Sequence, residues 1–451
     1  MRDKIAKLVS IGALLVVVFC VGMVWPKTQL WPTSWFKQAN VAASAFYDRY
    51  LSPDLTLIVA PDDRTGVVVH EPERVQPGYT LISQRNEDGF GAQLIDLDGT
   101  VLHRWQTNYD DIWPAGAPQL IDRGNPERVR WHGVHLFPNG DVLLNLELEG
   151  FPYAGGLVKL DKDSKVLWKV ERNIHHAITV LPDETILVPA LNYHAGSLPG
   201  LEYLGRQIYE DVVLEISPDG KVVDEISMPT ALAGMAGVLQ RTTDFHDPTH
   251  LNDVEEVTPE FAAAFPQSKA GDLIVSLRNI NALAGIDRQT KRASWILAGP
   301  WVQQHDVDLL PGGLISLYDN QGGPEKCGGT RILKLDPATQ QILWQYDGCE
   351  GNHFSNYEWG EQQSLPNGNI LTVEVYSGRA FEITTDAQPH VVWEYINRLA
   401  PRDGKPMRGL IGDARRFSYE ELTFIDRPVA RPEPIPAQVP AGAAPAAPST
   451  G

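Results

Sequence analysis

The stretch WHGVHLFPNGDVLLNLELEGFPYAGGLVKLDKDSKVLW, residues 131–168, decides the fold. It carries two markers in order. The first is an alternating strand that enters a Pro-x-Gly turn and leaves it again, LFPNGDVLLN; the second is an apolar strand, an Asp-centred turn and a strand bearing Trp168. Short runs with period-two alternation, cut by Gly, Pro and Asp, are the pattern of antiparallel strands joined by tight turns. The stretch therefore reads as inner strand, second strand, third strand and outer strand.

Both markers recur along the chain. The Pro-Gly marker returns in LLPGGLISLY and SLPNGNILTV, and the Asp-turn marker in AQLIDLDGTVLHRW, LAGIDRQTKRASW, RILKLDPATQQILW and AFEITTDAQPHVVW. Trp105, Trp168, Trp295, Trp344 and Trp393 thus share one position, and their periodicity assigns them to packing between sheets rather than to chemistry. The segment VVLEISPDGKVVDEI keeps the turn at Asp219 and Gly220 without the Trp and makes the sixth copy. Four-stranded units repeating at about 45 residues are the blades of a β-propeller. Complete units cover about 131–171, 175–226, 250–297, 304–346 and 358–396. The sixth is split: residues 78–107 supply outer strands only, and a lone strand, RFSYEELTFID at 416–426, follows the fifth unit. Pairing the two in one blade would close the ring and remove its exposed edges. The expected fold is all-β, a six-bladed propeller of four-stranded antiparallel blades over residues 78–426.

Other segments frame this ring. Leu8–Trp25 is an uncharged apolar run behind Arg2, Lys4 and Lys7, long enough for a transmembrane helix with its N-terminus in the cytoplasm. The small-residue site Ala43-Ser44-Ala45 lies far beyond that run, so residues 1–25 are expected to be an uncleaved signal-anchor rather than a cleaved leader. Residues 26–77 are expected to be a membrane-proximal connector, and the Pro/Ala-rich 427–451 a disordered tail. Two longer insertions, 191–211 and 228–247, are placed to cover one mouth of the channel. Cys20 belongs to the apolar run. Cys327 and Cys349 flank a hairpin turning at Asp336–Thr339, which sets them opposite each other, and an exported domain permits a disulfide there. A net charge of −19 with no basic run excludes a sequence-independent nucleic-acid binder.

Histidines mark the inner strands. His132, His176 and His305 each stand six residues ahead of a proline, in WHGVHLFPNG, HHAITVLPDE and QHDVDLLPGG. In a repeat fold equivalent positions converge in space, so the three are expected around one channel. The third unit offers DPTHLNDVEEV instead, with His250 and Asn252, and its second strand ends at Arg278; the fourth adds Asp319 and Asn320 after its turn. Arg supplies a planar fork of donors for sulfate, phosphate or carboxylate, which histidines and Asn252 would complete, while a neutral imidazole is left to attack. Three histidines could instead hold zinc, but Arg278 nearby would repel a cation. No GxxxxGK[ST] phosphate loop and no GxSxG elbow is present.

Three stretches, HHAITVLPDETILV, DPTHLNDVEEV with GDLIVSLRNINALAGIDRQTKRASWILAG, and QQHDVDLLPGGLISLYDN, resemble the bacterial aryl-sulfate sulfotransferase family of six-bladed propellers over about residues 90–396. The resemblance implies that His305 takes up the sulfuryl group, that His250 and Arg278 bind its oxygens, and that His176, or its neighbour His175, is the remaining active-site histidine. Asn252 is similar to the family's Asn beside the second histidine; Asn320 and His132 are expected to line the site. The implied reaction moves sulfuryl from an aryl sulfate donor to a phenolic acceptor, without nucleotide, cofactor or metal, on the periplasmic or extracellular side of the bacterial inner membrane. A catalytically silent binding propeller and a His-metal hydrolase or lyase are the alternatives. Two departures stand out: enterobacterial members carry a short-loop disulfide just before the nucleophile and an amino-terminal β-domain, and this chain has neither a Cys there nor an equivalent segment.

Overall fold

In the computed structural model the described residues are 56–114, 129–148, 155–349 and 351–425. Their local order begins at the Asp turns. Asp96 Oδ1 accepts the backbone N–H groups of Asp98 and Thr100, Asp161 Oδ1 those of Asp163 and Lys165, and Asp287 Oδ1 those of Gln289 and Thr290. The carboxylate satisfies donors that the reversing chain would otherwise leave open, so one residue type fixes the third-to-outer hairpin in blade after blade.

The hairpins assemble into six antiparallel blades. The first runs Val129–Leu136, Val142–Leu148, Gly156–Leu160, Val166–Val170. The second has a broken inner strand, Asn173–Ile174 and Thr179–Val180, then Ile186–His194, Ile208–Ile216 and Val222–Ser227. The third comprises Leu251–Glu256, Leu273–Leu277, Ala282–Asp287 and Arg292–Ala298, and the fourth His305–Leu310, Leu314–Asp319, Arg331–Asp336 and Gln341–Tyr346. The fifth holds Gln362–Ser364, Ile370–Glu374, Arg379–Ile383 and Val391–Ile396. The sixth joins the two ends of the ring: Ile411–Phe417 pairs with Tyr79–Asn86, followed by Gly89–Ile95 and Val101–Gln106.

The closing strand is therefore IGDARRF, ahead of the expected 416–426. Asp413, Arg415 and Arg416 hid it, because an axis-lining strand carries charge where a sheet facing a core would be apolar. Part of the expected connector also belongs to the folded body. Gly66–His70 adds a fifth strand outside Val391–Ile396, and Leu57–Val59 pairs with Lys405–Gly409 in a small three-stranded sheet. Residues 1–55 and 426–451, which include the apolar run Leu8–Trp25 and the whole Pro/Ala-rich tail, lie outside the described residues; among the described ones no helix is long and apolar enough to cross a membrane.

Three of the five recurring Trp residues join one blade to the next, whereas Trp295 donates to Ser268 Oγ of its own blade at 2.8 Å. Trp105 Nε1 donates to Gly140 O of the first blade at 2.9 Å, Trp168 to Pro218 O of the second at 3.1 Å, and Trp393 to Leu97 O of the sixth at 2.9 Å. A Cβ on Gly220 would stand 2.7 Å from the Trp168 ring, so the turn glycine makes room for the neighbouring blade's indole. Cys327 and Cys349 are bonded, with Cα atoms 4.9 Å apart. Along the axis four of the six inner strands lose register: between Trp131 and Val134, Leu251 and Asp253, His305 and Val307, and Ile411 and Asp413. Bulges of this kind re-aim side chains beside functional sites.

Candidate active site at one end of the channel

Above those bulges the inner strands and their neighbouring loops enclose a cavity of about 290 Å³. His132, His176, His250, His305 and Arg278 all line it, contributed by four successive blades. The imidazoles form a chain: ring centroids are 4.3 Å apart for His132 and His176, 5.2 Å for His176 and His250, and 5.5 Å for His176 and His305. His176 and His250 have φ of 58° and 47°, left-handed values that are costly for these residues and persist where the surrounding fold imposes them.

His305 is 3% exposed, and its tautomer is set by its partners. Nδ1 lies 2.7 Å from Asn320 Oδ1 and 3.1 Å from Gln303 O. Asn320 cannot present its amide nitrogen instead, because Nδ2 donates to Asn356 O at 2.8 Å and to Trp359 O at 2.5 Å. Both partners of Nδ1 are thus acceptors, Nδ1 carries the proton, and the lone pair resides on Nε2. Burial, with the Arg278 guanidinium beside it, holds the imidazole's pKa well below the ordinary value, so His305 is neutral at neutral pH.

Arg278 is held in turn. Its backbone N–H donates to His250 O at 3.0 Å, Nη1 donates to Asn279 Oδ1 and Nη2 to Gln303 Oε1, each at 3.0 Å. His250 Nδ1 is bonded to Asp247 Oδ2. Burial and the surrounding histidines, His132 first, push His176 well below the usual imidazole range, and burial takes His175 down to about 3. An arginine, a carboxylate-backed histidine and a neutral imidazole with its lone pair exposed converge on one buried space, a combination suited to an anionic group that undergoes nucleophilic attack.

The other sequence-predicted residues stand behind this wall. His175 is outside the cavity lining, its Nδ1 2.6 Å from His176 Nδ1. Asn252 donates to Gln304 O at 2.7 Å and fixes the strand leading into His305, while Asn320 orients His305 itself. Of the two insertions, 228–247 reaches the cavity through Thr243, Asp244 and Asp247. In 191–211 the ends are strand, Ile186–His194 paired with Ile208–Ile216, and none of the segment lines the cavity. Sequence reading missed Glu147, Asp247, Trp359 and Tyr376 on the wall. Glu147 had a signal: in VLLNLEL it and Asn145 fall on one face of a strand whose residues are otherwise apolar, and a buried carboxylate needs a reason to be there. His132, Glu147 and His176 are a potential metal-ligand trio among the described residues, with ligand atoms within 4.8 Å of one another, but Glu147 Oε1 already accepts from the His176 N–H at 3.0 Å and meets His132 Nδ1 at 2.9 Å.

The sequence profile of the arylsulfotransferase (ASST) family matches residues 133–398, which include this wall from His176 to Tyr376. The chain belongs to that family. Membership makes it a sulfotransferase-like β-propeller at family level. Among curated proteins none matches the sequence. Solved structures similar to this member of the family include a protein of unknown function from Bacteroides caccae, at 12% identity and TM-score 0.45 over 75% of this chain and 98% of that one. A streptogramin B lyase is similar at 13% identity and TM-score 0.40 over 77% and 98%, and virginiamycin B lyase from Staphylococcus aureus at 11% and 0.36 over 61% and 71%. Likenesses this remote carry no argument about activity.

Proposed function

We propose that this protein transfers a sulfuryl group from an aryl sulfate ester to a phenolic acceptor through a sulfohistidine formed at His305. The observation that carries the reading is the fixed tautomer of His305, with Nδ1–H held by Asn320 and Gln303 and a neutral ring beside Arg278. In the first half-reaction His305 Nε2 attacks sulfur, and the S–O bond to the aryl group breaks with its electron pair on the departing oxygen. Arg278 and His250 neutralise the sulfuryl oxygens as charge shifts, the preorganised electrostatics that dominate transfers of this type. In the second half-reaction the acceptor oxygen attacks sulfur and the pair returns to Nε2. Nothing in this scheme requires a nucleotide.

Mass spectrometry of the protein after brief exposure to 4-nitrophenyl sulfate tests the reading. The expected result is a sulfuryl adduct on His305, discharged by added phenol, with turnover lowered on the order of 10³-fold or more in His305→Ala. A folded protein with no adduct and no release of nitrophenol would overturn it.

A further inference from the structure

We propose that His132 is the general acid–base of this transfer, with Glu147 as the residue that positions it and holds its proton. The assignment rests on the sulfuryl-transfer reading and adds the proton's path.

His132 and Glu147 are 3% and 4% exposed, with His132 Nδ1 2.9 Å from Glu147 Oε1. The same oxygen accepts the backbone N–H of His176 at 3.0 Å. An N–H can only donate, so the oxygen is an acceptor and Nδ1 of His132 carries a proton toward it. The opposite edge of the ring, Nε2, is buried and has no hydrogen-bond partner among the described residues, while the side chain lies on the cavity wall. A buried polar atom without a partner is costly and calls for a ligand. Burial alone would raise the Glu147 carboxyl, but His132, through its charge and hydrogen bond, brings it down to about 2, which keeps the carboxylate ionised and able to stabilise an imidazolium.

Position separates His132 from the other imidazoles. Its ring packs 4.1 Å from the Trp359 ring, an aromatic surface against which an aryl group would lie. His176 has Nδ1 engaged with His175 and is surrounded by histidines that oppose its charging. His250 also has a carboxylate partner, Asp247, but its backbone is tied to Arg278, which places it with the groups that hold the sulfuryl oxygens.

The proton balances over both halves. As the S–O bond breaks, His132 gives its Nε2 proton to the departing aryl oxygen and becomes neutral. It then takes the acceptor's phenolic proton as that oxygen attacks sulfur, and His305 regains its lone pair. A leaving group that is already a stable anion needs no such help, so dependence on His132 should rise with the basicity of the phenol released.

Phenyl sulfate and 4-nitrophenyl sulfate, compared on the full chain, make the test. His132→Gln should lower kcat/KM on phenyl sulfate by about 10²- to 10⁴-fold, the span of general acid–base catalysis, and on 4-nitrophenyl sulfate by less than about tenfold. The His305 adduct should still form from the latter. Glu147→Gln should show the same bias between the two esters more weakly, a selectivity that a merely structural loss would not produce. His132→Asn replaces His132→Gln should the longer amide prevent folding. Equal losses on both esters in the His132 and Glu147 variants, or a phenyl-sulfate-selective loss in His250→Gln alone, would overturn the assignment while leaving the His305 reading intact. A wild-type protein that forms no His305 adduct overturns both.

Discussion

Asn320 decides which nitrogen of His305 keeps its lone pair. Its amide is pinned by two carbonyls, so its oxygen must face the imidazole. Replacing it with Leu removes the acceptor, lets the ring choose the other tautomer and strands the carbonyls of Asn356 and Trp359. Turnover of an aryl sulfate should fall about 10- to 100-fold, the usual cost of losing a group that orients a reactive histidine, with KM changing less than kcat. An Asn320→Leu protein with unchanged kcat would remove the tautomer argument. At this scale much was legible in the sequence: His305, His250 and Arg278 came from a recurrence and from the unit that breaks it. Glu147 and Asp247 were not, because their meaning depends on which side chain faces them from another strand or loop, and one sequence does not state cross-strand partners. For the same reason spacing did not tell His175 from His176. The backbone turn at His176, with φ of 58°, is what puts one ring into the cavity and the other behind it.

The blades show where pattern ends and context begins. Every complete unit read from its markers exists, because alternation and turn chemistry are local and the Asp turns carry their own hydrogen bonds. Strands without those markers escaped notice: Leu57–Val59 is three residues long, and Gly66–His70, GVVVH, has no turn of its own to pair across. The Trp positions share a sequence role but differ in burial. Trp105 and Trp393 are fully buried and flank the sixth blade, one reaching into the first blade and the other from the fifth, whereas Trp168 is only partly buried. The two fully buried Trp contacts thus secure the blade that closes the ring. Trp393→Ala should cost about 3–5 kcal/mol by denaturant midpoint, the range for emptying a buried aromatic site, and Trp168→Ala clearly less. Equal losses would mean that the closing blade is held no more firmly than the others.

Across the whole molecule the axis is electrically divided. The histidine cavity occupies one end, and farther along the inner strands a second cavity of about 320 Å³ is lined by Asp253, Glu255, Asp306, Asp308, Glu361 and Asp413 around Arg415 and His135. Burial and mutual repulsion raise these carboxyls; Asp308, raised by burial and then by Asp306, reaches about 7. The folded state then holds a proton that the unfolded chain has released, so stability is lost as pH climbs from about 4 through about 7. Asp308→Asn, which keeps an acceptor for Gln362 Nε2 at 3.0 Å, should raise Tm by a few degrees at pH 8, with the gain vanishing near pH 5; a gain independent of pH would contradict the shift. Ring closure bears on how the protein is made as well as on how it stands. Arg416 Nε donates to Thr80 Oγ1 across 336 residues and Arg416 pairs with buried Glu382, so the strand that seals the circle is among the last parts of the ring to be synthesised. Until it arrives, Tyr79–Asn86 has an unpaired edge. Contacts of such long range form slowly, and a nascent chain waiting in that state is exposed to strand exchange with its neighbours. The vulnerable period in this protein's life is therefore the interval between the emergence of its first blade strand and its last.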